Sequence, residues 1–170
     1  MVDGIIFDVD GTLWDSTPIV EKAWNQALID NGFENVSVTA DRLKGLFGLP
    51  MDDIIEDILP GVSLEKRNAF KPDCFSYEHE FLKREPGILY DNLEEALSEL
   101  SQKYKLFIVS NCQAGYIELF LEKTGFEKYF MGHLCPGDTD MLKADNIKKI
   151  VKDFDLKEPI YVGEVNGQVE

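Results

Sequence analysis

The stretch Ile5-Ile6-Phe7-Asp8-Val9-Asp10-Gly11-Thr12-Leu13 constrains this chain more than any other part of it. Gly4 to Phe7 is a short apolar run bounded by acids and a glycine, the pattern of a strand buried on both faces. Where that strand ends it delivers two carboxylates, Asp8 and Asp10. Residues i and i+2 of an extended chain point the same way, so both side chains can converge on one ligand. Gly11 lets the backbone turn sharply just beyond them, because it has no Cβ. In open α/β sheets the carboxyl ends of strands are where ligands bind.

Two chemistries use such a pair. One is hard-cation binding, in which Mg²⁺ takes a few carboxylate oxygens and keeps other positions for water and phosphate. The other is covalent phosphoryl transfer, with one carboxylate attacking phosphorus while its neighbour handles the proton. A bare D-x-D also occurs in solvated turns, where Asp and Gly are common. The full string D-V-D-G-T-L directly after a buried strand is far more specific.

Downstream, Thr17-Pro18 predicts a helix start with Thr17 as N-cap and Pro18 at the first helical position. Val20, Ala23, Trp24, Ala27 and Leu28 then form a packing stripe that ends near Asn31-Gly32. Residues 40–47, 51–59 and 63–83 read as further helices, and no strand pattern appears between Asp15 and Arg84. This block is a helical insert. After Glu85-Pro86-Gly87, the run Asp91-Asn92-Leu93-Glu94 resembles a capping box ahead of an amphipathic helix. Residues 106–109 read as a second buried strand, 114–123 as a helix and 129–134 as a weaker strand. Lys143 opens a helix striped by Ala144, Ile147, Ile150, Val151 and Phe154, and residues 159–163 form a fourth strand running into Glu164. Strands alternating with helices predict an α/β fold, a parallel sheet built by right-handed crossovers.

With 170 residues, 44% of them hydrophobic, the chain can build one real core and a small second lobe. Its net charge of −15 argues against nucleic acid and anionic membrane surfaces as partners. It also repels an anionic substrate at long range, so a site handling phosphate needs a cation and a lysine inside it. No signal peptide and no membrane span is expected. Cys74, Cys112 and Cys135 are an odd number without metal-ligand spacing, which points to reduced thiols and a cytoplasmic location. His79 and His133 have no partner at a useful spacing and read as surface residues.

Asp8-Val9-Asp10-Gly11-Thr12-Leu13 resembles the first motif of the haloacid dehalogenase superfamily of phosphatases, and the likeness extends along most of the chain. Val109-Ser110-Asn111 resembles the second motif, and Leu142-Lys143-Ala144-Asp145-Asn146-Ile147 the third. Read from the residues alone, Ser110 and Asn111 can hold a phosphate oxygen, cap the next helix, or do both. Lys143 stands at a helix N-terminus, against the macrodipole, either as a solvated lysine or as one aimed at a phosphate gathered there. The resemblance implies more. It implies a Rossmann-like core from residues 1–15 and 85–170, with an α-helical cap, 16–84, inserted behind the first motif. Asp8 would be the nucleophile that forms an aspartyl-phosphate, Asp10 the proton donor and acceptor, and Lys143 the cation that steadies both nucleophile and phosphoryl charge. Ser110, Asn111, Gly11 and Thr12 would bind the phosphoryl oxygens, and Mg²⁺ would sit on Asp8, the Asp10 backbone carbonyl and Glu164. The substrate would be a small phosphorylated metabolite. Lys44-Gly45-Leu46-Phe47-Gly48 resembles the cap loop of the phosphoglycolate phosphatase and β-phosphoglucomutase branch, where Lys44 meets an anionic leaving group or is simply a surface lysine. The oligomeric state stays open.

The fourth motif departs from its pattern. Tyr161-Val162-Gly163 is as in the family, but the expected Asp and the acid four residues on are Glu164 and Gln168 here. Mg²⁺ tolerates poor ligand geometry badly, so a longer arm at Glu164 puts metal coordination in question. The family also continues into a further helix and a fifth strand, and both are expected to be missing after Glu170. Three alternatives to a phosphatase follow: a sugar-phosphate mutase of the same family, a dehalogenase (a branch that does not carry the acid of Asp10), and a non-catalytic phosphate- or protein-binding relative.

Overall fold

The alternation of strands and helices read from the sequence is borne out as an α/β fold around a parallel sheet. The computed structural model describes residues 1–163. The chain divides into two units, Met1–Asp15 with Leu89–Glu170, and Ser16–Ile88. The first unit holds β1 (Gly4–Phe7) and a two-residue strand, β2 (Trp14–Asp15). The second holds α1 (Thr17–Asp30), α2 (Ala40–Leu46), α3 (Met51–Ile58) and α4 (Leu64–Arg84). The short strand β3 (Ile88–Leu89) returns the chain to the first unit. There follow α5 (Leu93–Ser101), β4 (Lys105–Val109), α6 (Tyr116–Thr124), a 3₁₀ turn (Phe126–Tyr129), β5 (Gly132–Leu134), α7 (Pro136–Thr139), α8 (Lys143–Asp153) and β6 (Pro159–Val162).

The main sheet has the order β5-β4-β1-β6 and every pairing in it is parallel. Chain order runs outward from β1 through β4 to β5, then returns to the other side of β1 for β6. The strand order therefore reverses at β1, and in such sheets the crevice beyond that strand's carboxyl end receives ligands. All four residues of β1 are buried, as a central strand covered on both faces requires. Ile6 pairs with Phe107 on one side and Tyr161 on the other. Ile6, Phe107 and Val109 pack with Ile150 of α8 and with Leu156, and the Phe154 ring lies 4.6 Å from that of Phe107. Fully burying a side chain such as Phe107 contributes roughly 1.5–3 kcal/mol, so this layer holds α8 firmly against the sheet.

In the helical unit the stripe Val20, Ala23, Trp24, Ala27 and Leu28 is buried, as are Phe70, Cys74 and Leu82 of α4. Glu78 is buried among them, and its carboxylate accepts a hydrogen bond from Trp24 Nε1 at 2.9 Å. Between Ser16 and Gly87 the described residues form no strand. No helix among the described residues is long and apolar enough to cross a membrane.

Three local readings are corrected. Ser16, not Thr17, occupies the N-cap position of α1, so Thr17 is already helical and Pro18 falls inside the first turn. The capping box at Asp91–Glu94 does not form, because Asn92 adopts a left-handed conformation (φ 59°) and its side chain makes no cap bond. Ser110 and Asn111 do not cap the helix that follows them, since α6 begins only after Gly115.

Candidate active site

β1 ends at Phe7, but the Asp8 N–H still donates to Val162 O at 2.9 Å, which ties Asp8 to the carboxyl end of the neighbouring strand. The chain then folds over its own Val9 carbonyl, which accepts from the N–H groups of Thr12, Leu13 and Trp14 at 3.1, 2.8 and 3.3 Å. The Gly11 N–H closes the turn onto Trp14 O at 3.0 Å with φ 76°, a backbone state that suits glycine. This turn fixes where Asp8 and Asp10 stand.

The two carboxylates receive different partners. Asp8 is 2% exposed; its Oδ1 accepts from the Val9 N–H at 2.8 Å and its Oδ2 from Lys143 Nζ at 2.6 Å. The Asp10 Oδ1 accepts from the Tyr116 hydroxyl at 2.5 Å and from Trp14 Nε1 at 3.1 Å. One carboxylate thus faces a cation and the other faces two neutral donors.

Lys143 is the first residue of α8. Its backbone N–H donates to Asn111 Oδ1 at 3.1 Å, so Asn111, from the loop after β4, satisfies one of the open donors of α8. The Lys143 ammonium also donates to the Tyr161 hydroxyl at 3.2 Å and lies 5.7 Å from the centre of that ring. Burial alone would push the ammonium's pKa down, but the Asp8 carboxylate and the Tyr161 oxygen outweigh it and the net shift is upward. Lys143 therefore keeps its charge. Burial, and then the Asp8 charge, pushes the Tyr161 phenol up to about 12, so it stays protonated.

Ser110 is buried just past the end of β4, and Phe7 pairs with Ile108, which puts Asp8 beside Val109 and Ser110 one step beyond. Gly11 and Thr12 form the turn between the acids and Trp14. Lys44 belongs to the helical unit, on the exposed side of α2. Glu164 and Gln168 lie outside the described residues.

Gly163, the last described residue, explains physically why a glycine follows Val162. A Cβ there would stand 2.3 Å from the Tyr161 hydroxyl oxygen and 2.9 Å from Asp8 Cβ. Trp14, Tyr116 and Tyr161 are the residues of this cluster to which the sequence assigned no role. Tyr161 lay inside a recognised motif; Tyr116 gave no signal beyond an aromatic at the start of a helix.

The oxygen-only donors at Asp8 and Asp10 suit a hard cation such as Mg²⁺. A second group, Glu118, His133 and Asp138, offers ligand atoms all within 4.8 Å of one another, and His133 Nδ1 is buried without a hydrogen-bond partner. His133 therefore does have acidic neighbours, supplied by α6 and α7 rather than by sequence spacing. The three cysteines are free. Burial, then contact with Cys135 and the charges of Asp10 and Asp8, keeps the Cys112 thiol protonated, so the nucleophile candidate here is a carboxylate.

Comparison with known proteins gives concordant results. The chain is 30% identical over 137 residues to a phosphoglycolate phosphatase of Vibrio parahaemolyticus, an alignment that spans 75% of this chain and 58% of that relative's length. Among solved structures, a predicted phosphoglycolate phosphatase from Haemophilus somnus superposes with a TM-score of 0.82 at 23% identity, covering 96% of this chain and 77% of that one. A haloacid dehalogenase-like family hydrolase from Streptococcus pneumoniae superposes with a TM-score of 0.83 at 21% identity, covering 97% and 77%. These structural likenesses establish the shared fold. A family model of haloacid dehalogenase-like hydrolases matches residues 5–166, from β1 past the end of β6, and the chain belongs to that family.

Proposed function

We propose that this chain belongs to a Mg²⁺-dependent phosphatase that hydrolyses a small phosphate monoester through an aspartyl-phosphate on Asp8. The observation that carries the reading is the unequal environment of the two carboxylates. Asp8 is buried against Lys143, while Asp10 is anchored separately by Tyr116 and Trp14. Two acids given different partners are suited to different roles.

In this reading an Asp8 carboxylate oxygen attacks phosphorus in line with the ester oxygen. The P–O bond to the alcohol breaks, its electron pair stays on the leaving oxygen, and Asp10 supplies the proton. Asp10 then takes a proton from water as that water attacks the aspartyl-phosphate, releasing phosphate and regenerating Asp8. Lys143 holds the charge of Asp8 before transfer and faces the phosphoryl charge during it, while Ser110, Asn111 and the Gly11–Thr12 turn bind the remaining oxygens. Asp8, the Asp10 backbone carbonyl and Glu164 would hold Mg²⁺, whose chemistry when bound is to neutralise phosphoryl oxygens. The name of the Vibrio relative makes phosphoglycolate the first substrate to try, with Lys44 as a specificity residue for an anionic leaving group. The free thiols suit work in the reducing cytoplasm.

The test is phosphate release from phosphoglycolate and from a panel of small esters, with Mg²⁺ and with a chelator. Metal-dependent release that Asp8→Asn abolishes is expected. Beryllofluoride, an acyl-phosphate mimic, should add to Asp8 only with Mg²⁺ present. Near wild-type release by Asp8→Asn would rule out covalent catalysis at this residue.

A further inference from the structure

Tyr116 and Trp14 form a buried polar pair of unusual placement. Tyr116 is 1% exposed and Trp14 0%. Their rings meet edge-on, 6.2 Å between centroids at 75°, and Phe120 closes against Trp14 at 5.0 Å and 82°. Buried phenol and indole groups need polar partners, and most find a backbone carbonyl or water. Here the Tyr116 hydroxyl donates to Asp10 Oδ1 at 2.5 Å. Trp14 Nε1 is shared between that same oxygen at 3.1 Å and the Tyr116 hydroxyl oxygen at 3.3 Å. The three polar groups make a closed triangle around one carboxylate oxygen. The backbone reinforces it, since Asp10 and Trp14 also form an isolated β-bridge across the Gly11 turn.

We infer that Tyr116, assisted by Trp14, is a positioning residue that holds the Asp10 carboxylate by its Oδ1 in a fixed orientation for handing its proton to the leaving oxygen. The inference rests on the phosphatase reading above and deepens it, because it names the residues that make Asp10 effective as an acid. With Oδ1 engaged by two donors from rigid, packed aromatics, the carboxyl plane is fixed. Asp10 then delivers its proton from one direction as the ester P–O bond breaks and the electron pair moves to the alcohol oxygen. Fixing matters because displacement of a catalytic group by about 1 Å costs roughly a hundredfold in rate. Tyr116 itself exchanges no proton with substrate.

A purely structural account, in which Asp10 merely satisfies two buried donors, makes a different prediction. The two are separated by leaving-group dependence. An aryl phosphate such as p-nitrophenyl phosphate departs as a stable anion and needs little protonation, whereas an alkyl phosphate such as phosphoglycolate needs a general acid. General acid catalysis is worth about 10²–10⁴-fold. Tyr116→Phe, which keeps the ring and its packing, should lower kcat/KM, which reports the leaving-group step and not the later hydrolysis common to both esters, by about tenfold or more on the alkyl ester and by less than about threefold on the aryl ester. Trp14→Phe should show the same selectivity to a smaller degree, and it carries the test if Tyr116→Phe folds poorly. Equal losses on both esters, or no loss on either, would overturn the assignment. Asp8→Asn is run in parallel; if that variant still releases phosphate, the phosphatase mechanism falls and this proposal with it. If Asp8→Asn is inactive and Tyr116→Phe lacks leaving-group selectivity, only the positioning role falls.

Discussion

Lys143→Ala removes the cation that the described residues place on Asp8. In the folded chain the ammonium lies 2.6 Å from Asp8 Oδ2 and 3.2 Å from the Tyr161 hydroxyl, with 15% of the lysine side chain and 3% of the Asp8 side chain exposed. At an effective dielectric of about 20 the pair's Coulomb attraction at that distance is about 6 kcal/mol. Desolvation of the ammonium takes back part of this, yet the lysine pKa remains raised, so attraction wins. Stranding a buried charge typically costs about 3–5 kcal/mol, and the Val9 N–H that stays on Asp8 Oδ1 places this site at the lower end. Turnover should suffer on top of that, since removing a donor aimed at developing transition-state charge costs about 10²–10³ in kcat. The assay pairs urea denaturation with phosphate release, measured at a temperature where parent and variant are both folded. A drop of about a hundredfold or more in kcat is expected from fully folded Lys143→Ala. Lys143→Arg should recover more stability than turnover, because a guanidinium fork restores charge without the geometry of an ammonium. If folded Lys143→Ala keeps kcat within about threefold of the parent, the lysine does not act on the reaction.

Other expectations follow from the same cluster. Gly163→Ala drives a Cβ to 2.3 Å from the Tyr161 oxygen and 2.9 Å from Asp8 Cβ; overpacking of this kind costs about 1–3 kcal/mol. A thermal melt should fall and phosphate release should fail, and a variant unchanged in both would show the contact to be relieved elsewhere. Tyr161 has its pKa raised to about 12, so the folded state keeps a proton that the unfolded chain has lost. Its contribution is full below about pH 10 and disappears as pH rises through 12. The raised pKa of Lys143 acts in the same direction. Denaturant titrations near pH 9 and pH 11.5 should therefore show a steep alkaline loss that Tyr161→Phe makes shallower; an identical slope would contradict the shift. In the helical unit, Trp24→Phe takes the indole donor from buried Glu78. That should cost about 1–3 kcal/mol by urea denaturation, and a change near zero would mean the bond contributes little.

Several of these side chains were within reach of a sequence reading and several were not. β1 was legible because a four-residue apolar run between turn-forming residues has few other uses, and its end placed Asp8 and Asp10 without further information. The helices of this stretch were legible because helical periodicity and the absence of strand patterns persist from Ser16 through Arg84. Where a reading depended on one backbone torsion it failed, as at Asn92, whose left-handed conformation breaks a box that residue types alone would allow. It failed also where a polar side chain could serve either of two helices. Asn111 follows β4 and precedes α6, yet its oxygen serves the first turn of α8.

By itself, then, the sequence determined which segments are strand or helix, which faces they bury, and that two acids leave β1 together. These are consequences of spacing over a few residues, where periodicity and turn chemistry act. Only the tertiary structure decided who meets those acids. Lys143 reaches Asp8 across 135 positions of chain and Tyr116 reaches Asp10 across 106. Those encounters depend on strand order and register, on β1 lying between β4 and β6, and on the packing that brings the first residues of α8 and α6 to the acids beyond β1. No local pattern encodes such a meeting, because its energy is collected only when the whole sheet has formed.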